Sequence, residues 1–214
     1  VGDQGGNGDS DSRIYRVTPA GVATVFTAAP GPALDDVFAL AFSPGGAYPA
    51  GLYVSGDTDG AGPDWGVYSA AGVGVAFSEV AGTETAAVDR AGTYGGGLWV
   101  ARPAGGGYAG DDAIGPLDAA GVAGPRLATA LPGIHGLAFA PPGPFAGHMH
   151  AASWSSGRLL SITPAGAVAD LATGLSLTNF DANILAFSPD GRVLYVADRA
   201  ANRVVCIEPI AVPD

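Results

Sequence analysis

Lysine is absent from the 214 residues, and nine arginines carry all the positive side-chain charge against twenty acidic groups. The formal net charge is −11. A surface of that sign repels nucleic-acid phosphates and anionic lipid, which argues against nucleic acid as a partner. It would suit bound cations, and it also serves solubility. Cysteine is nearly absent. Cys206 stands alone, which excludes an internal disulfide. It lies in the apolar run Val204-Val205-Cys206-Ile207 and is expected to be a buried, unreactive thiol. No apolar run reaches the roughly 18–20 residues of a membrane-spanning helix. There is no Gly-x-Ser-x-Gly elbow, no P-loop and no dinucleotide fingerprint. The first residue is Val rather than Met, as expected of a processed or excised chain.

Glycine and proline are plentiful, at 35 and 17 residues, without a triplet period. They recur instead at turns. Four hairpin signals share one form: Ser43-Pro44-Gly45-Gly46, Asp89-Arg90-Ala91-Gly92, Ala140-Pro141-Pro142-Gly143 and Ser188-Pro189-Asp190-Gly191. The last glycines are 46, 51 and 48 residues apart. Before each turn runs a short apolar strand: Leu40-Ala41-Phe42, Ala86-Ala87-Val88, Leu137-Ala138-Phe139 and Leu185-Ala186-Phe187. After each turn comes another: Leu52-Tyr53-Val54, Leu98-Trp99-Val100, Met149-His150-Ala151 and Leu194-Tyr195-Val196. A second turn series reads Thr18-Pro19-Ala20-Gly21, Ser69-Ala70-Ala71-Gly72, Asp118-Ala119-Ala120-Gly121 and Thr163-Pro164-Ala165-Gly166, with a degraded copy at Glu208-Pro209-Ile210-Ala211.

Each unit therefore reads as a four-stranded antiparallel meander. Such a sheet cannot bury both faces alone, so the units must pack side by side around an axis. The fold class is all-β, a β-propeller, with residues 1–214 as one domain. Val1-Gly2-Asp3 matches the end of a second strand, and the chain stops after a third strand. Three whole units and two partial ones result. A five-bladed ring closed by the terminal strands is one reading, and a fragment of a larger propeller is the other.

The stretch from Asn183 to Asp198, with Phe187-Ser188-Pro189-Asp190-Gly191 and Leu194-Tyr195-Val196-Ala197-Asp198, resembles the blade signature of the SMP-30/gluconolactonase and NHL-type propellers. Weaker copies occupy the other units. The resemblance implies a propeller and leaves activity open, because such folds host lactonases, lyases and binding modules. In the SMP-30-like enzymes a divalent metal, usually calcium, sits at the central axis on residues that open the innermost strands. Eight residues before each turn glycine stand Phe38, Glu84, His135 and Asn183. Asn183 matches the family's metal-binding asparagine, although Ile184 follows it in place of glycine. Glu84 has the right chemistry in a different local motif, and Phe38 cannot bind. Asp36 and Asp181, two residues earlier in their units, are further candidate ligands. Glu, Asn and Asp oxygens suit calcium. With His135 as a ligand, preference moves toward zinc or another transition metal.

His148 and His150 share a strand face, which can form a metal clip. His150, however, fills the slot held by Tyr53, Trp99 and Tyr195, so packing is the expected role. Acidic glycine-rich loops run from Asp3 to Asp11 and from Asp57 to Asp64, and Asp111-Asp112 adds a third acidic pair. Each reads as ordinary turn chemistry, and together they make one end acidic. Trp65 and Trp154 lie near that end as candidate sugar-stacking rings. Two functions remain open. One is a secreted, periplasmic or cell-surface binding or scaffold module for a small molecule or protein, stabilised by calcium. The alternative is a metal-dependent hydrolase resembling the SMP-30-type lactonases, with Glu84 or His135 in catalysis.

Overall fold

The computed structural model describes residues 2–3, 12–28, 37–43, 45–46, 48–56, 65–78, 80, 85–103, 111–177 and 184–209. They form five antiparallel sheets that follow one another along the chain. The first has three strands, β1 (Gly2–Asp3), β2 (Arg13–Val17) and β3 (Ala23–Ala28). The second has four, β4 (Val37–Ser43), β5 (Gly51–Gly56), β6 (Trp65–Tyr68) and β7 (Gly74–Ser78). The third comprises β8 (Thr85–Asp89), β9 (Gly97–Pro103), β10 (Asp111–Leu117) and β11 (Ala128–Pro132). The fourth comprises β12 (Ile134–Phe139), β13 (Met149–Ser153), β14 (Arg158–Ile162) and β15 (Val168–Ala172). The fifth has three, β16 (Leu185–Phe187), β17 (Leu194–Asp198) and β18 (Arg203–Ile207). This is the meander architecture of a propeller, with the three whole and two partial units expected from the turns.

The turn residues explain themselves. In the second turn series, the glycine N–H donates to the carbonyl three residues earlier at 2.8–2.9 Å. The side chain that opens each turn caps it. Thr18 Oγ1, Ser69 Oγ, Asp118 Oδ1 and Thr163 Oγ1 each accept from the N–H four residues on. A short oxygen-bearing side chain is what that local bond needs.

Packing between sheets runs in chain order. β1 lies against β4, β4 against β8, β8 against β12, and β12 against β16. The first strand of each whole sheet is thus its innermost. The second-series glycines set how closely the sheets approach. Gly72, Gly121 and Gly166 have φ of +78°, +79° and +82°, which side chains rarely adopt. A Cβ on Gly72 or Gly166 would also stand 2.5 Å from the carbonyl oxygen of Phe26 or Leu127 in the preceding sheet. Gly121 approaches the Phe77 carbonyl more closely still.

The core is interfacial. Tyr53, Trp65, Leu98 and Leu117 are buried between the second and third sheets, and Met149, Leu160, Ile162 and Ile114 between the third and fourth. Each such side chain contributes about 1.5–3 kcal/mol by leaving water. The slot after the first turn holds Tyr53, Trp99, His150 and Tyr195, and each pairs across strands with an alanine: Ala41, Ala87, Ala138 and Ala186.

Two expectations change. Cys206 is exposed rather than buried. It pairs with Tyr195, itself 38% exposed, on a face of the fifth sheet that no described residue covers. Trp65 is fully buried, so it is a core residue and not a free stacking ring. Among the described residues no strand pairing joins the first and fifth sheets, and the chain ends 1 and 210–214, on which ring closure turns, lie outside the described residues.

The glycine stacking is testable. Gly21 shares the +79° φ, but a Cβ there would meet nothing within 4 Å. Gly21→Ala should cost about 1–2 kcal/mol of backbone strain. Gly72→Ala should cost that plus about 1–3 kcal/mol for the blocked approach of two sheets. Urea unfolding of both variants checks this, and equal losses would show that the sheets do not meet tightly there.

Candidate functional site at the axial end

Because each whole sheet opens with its innermost strand, the starts of β4, β8, β12 and β16 gather at one end of the stack. Two residues of the proposed ring are described there, Phe38 and His135. Both are the second residue of an innermost strand, and both sit where the ladder slips. Val37 pairs with Gly56 and Ala39 with Ser55, leaving Phe38 as the extra residue. Ile134 pairs with Ser153 and Gly136 with Ala152, leaving His135 as the extra residue. These are β-bulges, which re-aim a side chain out of the regular alternation. The turn-based alignment of the two positions is therefore structural as well as numerical. Glu84, Asn183, Asp181 and Asp36 lie outside the described residues.

His135 is 4% exposed, with its ring centroid 5.6 Å from that of Trp154 at a tilt of 52°. Several contacts fix this corner. The Trp154 backbone N–H donates to the Gly133 carbonyl at 2.9 Å. The Asp112 carboxylate accepts a short bond from the Ile134 backbone N–H. Ser153 Oγ donates a short bond to the Pro132 carbonyl and stands 2.7 Å from Ser156 Oγ. Asp112, read from the sequence as part of an acidic turn, thus anchors the start of β12. Asp198 does a related job in the fifth sheet, accepting from Ser176 N–H at 2.8 Å and pairing with Arg203.

Trp154 Nε1 is buried and has no hydrogen-bond partner among the described residues. Ser55 Oγ, cross-strand from Ala39 beside the Phe38 bulge, is likewise buried without a partner. A buried donor left unmatched costs about 1–3 kcal/mol, so such atoms mark places where a ligand can repay the loss. Among the described residues, this corner sets the His135 imidazole beside the Trp154 ring and its indole N–H. Among the described residues, no group of three or more His, Cys, Asp or Glu side chains could hold a metal ion. A lone imidazole does not fit a hard cation such as calcium, whose oxygen donors would have to come from the four candidates outside the described residues.

The histidine pair resolves as packing. His150 is 1% exposed, with ring centroids of Phe187 and Phe145 at 5.5 and 5.7 Å. Exposed His148 turns its Nδ1 to Ser161 Oγ at 2.7 Å.

No protein-family model matches the chain, and no curated protein matches it. Solved structures do. The Pseudomonas aeruginosa periplasmic gluconolactonase superimposes with a TM-score of 0.59 at 16% identity, over 96% of this chain and 62% of that one. A putative 6-phosphogluconolactonase from Bacteroides uniformis gives 0.59 at 19% identity, over 95% and 62%. A glucose dehydrogenase gives 0.63 at 15% identity, over 99% and 77%. The chain spans about 62% of the length of the two lactonase-type structures. At such identity the likeness shows the fold alone, a β-propeller, as the repeated turns implied. Among the described residues no helix is long and apolar enough to cross a membrane.

Burial of His150, with His148 nearby, pushes its pKa from 6.5 down to about 4. The neutral ring is the folded form, so protonation favours unfolding. Its stabilising effect is complete above pH 6.5 and is lost as pH falls from 6.5 toward 4, on the order of 3 kcal/mol in all. Urea denaturation across that window should show the slope, and His150→Phe should flatten it. A slope unchanged in that variant would place the titration elsewhere.

Proposed function

We propose that the chain is a hydrolase of sugar lactones that works at the axial end of the stack. The observation that carries this is His135, set on a bulge of an innermost strand against Trp154, whose indole N–H has no partner among the described residues. The gluconolactonase and putative 6-phosphogluconolactonase neighbours support the substrate class. They favour this reading over a pure scaffold.

In this reading His135 acts as general base. It takes a proton from water as the water oxygen adds to the lactone carbonyl carbon. The bond from that carbon to the ring oxygen then breaks, and the proton passes from His135 to the departing oxygen, giving the open hydroxy acid. Trp154 offers its ring face to the sugar and its N–H to a hydroxyl. Glu84 and Asn183, with Asp36 and Asp181, would hold a divalent cation such as calcium, which when bound would polarise the carbonyl. An extracytoplasmic location is part of the proposal, supported by the periplasmic neighbour. A binding module without turnover is the second reading, favoured by Phe38 at a ring position where a ligand would stand.

Hydrolysis of glucono-1,5-lactone, followed by acid release with and without added calcium, tests the reading. His135→Ala should lower kcat by about 10²–10⁴-fold. Trp154→Phe should mainly raise KM. Circular dichroism of each variant separates lost chemistry from lost fold. Lactone binding without turnover at any metal concentration would favour the binding module.

A further inference from the structure

At the hairpin ends, rings close the grooves between sheets. Tyr48, Tyr94 and Phe145 each stand two residues beyond a turn glycine. The Tyr48 and Tyr94 hydroxyls donate to the Leu117 and Ile162 carbonyls of the next sheet, and Phe145 packs on Phe187 at 5.7 Å. The other end of the groove between the second and third sheets is finished differently. Three positions after the aromatic slot stand Asp198 in the fifth sheet, Ser153 in the fourth and Arg102 in the third. Asp198 pairs across strands with Arg203 and holds its guanidinium at 2.8 Å. Ser153 gives its hydroxyl to the Pro132 carbonyl. In the third sheet Arg102 takes the place of the acid, and its cross-strand partner is Ala113. A cation stands there without the counter-charge that the fifth sheet provides.

Arg102 shares a face of β9 with Leu98 and Val100, which are buried against the second sheet. Its side chain runs outward across β10, and its Nη2 donates to the Gly124 carbonyl at 3.2 Å. A glycine opens that path. A Cβ on Gly115 would lie 2.9 Å from Arg102 Nη2 and 3.5 Å from the Cα of Arg126. Two arginines thus flank one bare stretch of backbone. Arg102 Nε is buried and has no hydrogen-bond partner among the described residues. The chain carries twenty acidic groups, yet none of the described ones forms an ion pair with Arg102 or Arg126. Burial first, and then the charge of Arg126, lower the Arg102 pKa from its ordinary value.

We propose that Arg102 and Arg126 form a binding site for a phosphate group, free or carried by a small molecule. The pair selects a dianion. Two guanidiniums without an acid leave two positive charges, and a phosphate group near neutral pH supplies about −1.5 to −2, where a carboxylate supplies a single negative charge. Arg102 offers its Nε–H and remaining Nη hydrogens as a fork, the geometry that takes two phosphate oxygens at once. Exposed Arg126 meets a third oxygen from the solvent side. The site lies beyond β10 from the innermost strand of its sheet and does not depend on the lactone reading.

Titration with sodium phosphate, followed by the Arg102 Nε–H and backbone amide resonances, tests the proposal. Phosphate should shift the Arg102 Nε–H and the Gly124 and Arg126 amides. It should bind more tightly above about pH 8 than below about pH 5, where it carries one more proton. Acetate should bind at least about ten-fold more weakly than phosphate. Arg102→Gln should abolish the shifts, and Arg126→Gln should weaken phosphate about ten-fold. Arg102→Lys keeps the charge and loses the fork, so it too should bind about ten-fold more weakly. Gly115→Ala displaces Arg102 without changing any charge, should weaken phosphate as well, and serves if Arg102→Gln does not fold. Glucose 6-phosphate distinguishes the two sources. Affinity equal to that of phosphate assigns the site to a phosphorylated small molecule, and exclusion assigns it to the free ion. Shifts confined to other residues, equal affinity for acetate, or binding unchanged in Arg102→Gln or Arg102→Lys would overturn the proposal.

Discussion

Each sheet of this molecule buries its faces only against its neighbours, and the approach is set where a glycine without a side chain meets the backbone of the sheet before it. Gly72 against Phe26, Gly121 against Phe77 and Gly166 against Leu127 are the same contact made three times. The glycine serves two demands at once, a left-handed backbone and a near-contact with a carbonyl. With that spacing fixed, Tyr53, Trp99 and His150 fall into one slot opposite an alanine, and the rings of Tyr48, Tyr94 and Phe145 close the grooves. A substitution at the glycine would therefore disturb the slot and the groove together, although neither touches it directly.

Most of the fold was legible because turns are local. A serine, threonine or aspartate that caps its own turn, three residues before a glycine, needs no long-range partner, and so it repeats visibly. The aromatic slot was equally legible at Tyr53, Trp99, His150 and Tyr195, and it correctly moved His150 from ligand to packing. Tyr48, Tyr94 and Phe145 went unread although they recur at a fixed place after the turn glycine. Their partners are backbone atoms of the next sheet, and a sequence does not display which carbonyl a phenol will meet. Cys206 and Trp65 were misplaced for a related reason. Apolar neighbours along a strand do not say which face a further sheet covers, nor how deep a strand's first residue lies.

The axial corner was partly legible. Counting back from the turns brought Phe38 and His135 to one structural position, and the bulges at both show why the count worked. What the count could not supply is the second half of the corner. Trp154 arrives from the end of β13, and Asp112 from β10 of the preceding sheet, tied to the backbone of Ile134. Asp112 looked like one more acid in a loop and proves to be a clamp. The site thus combines a repeated position with parts that do not repeat, as expected when a function is added to a stack of similar units.

The central claim is that the starts of the innermost strands form the reacting end of the molecule. A crystal of the protein soaked with gluconate, the open product of the proposed reaction, tests it directly. The account predicts density for the sugar acid at the axial end, with an oxygen within about 2.7–3.2 Å of a His135 ring nitrogen and another within reach of Trp154 Nε1. Gluconate bound elsewhere, with the His135 ring turned from the axis and Trp154 Nε1 sealed by protein, would contradict it.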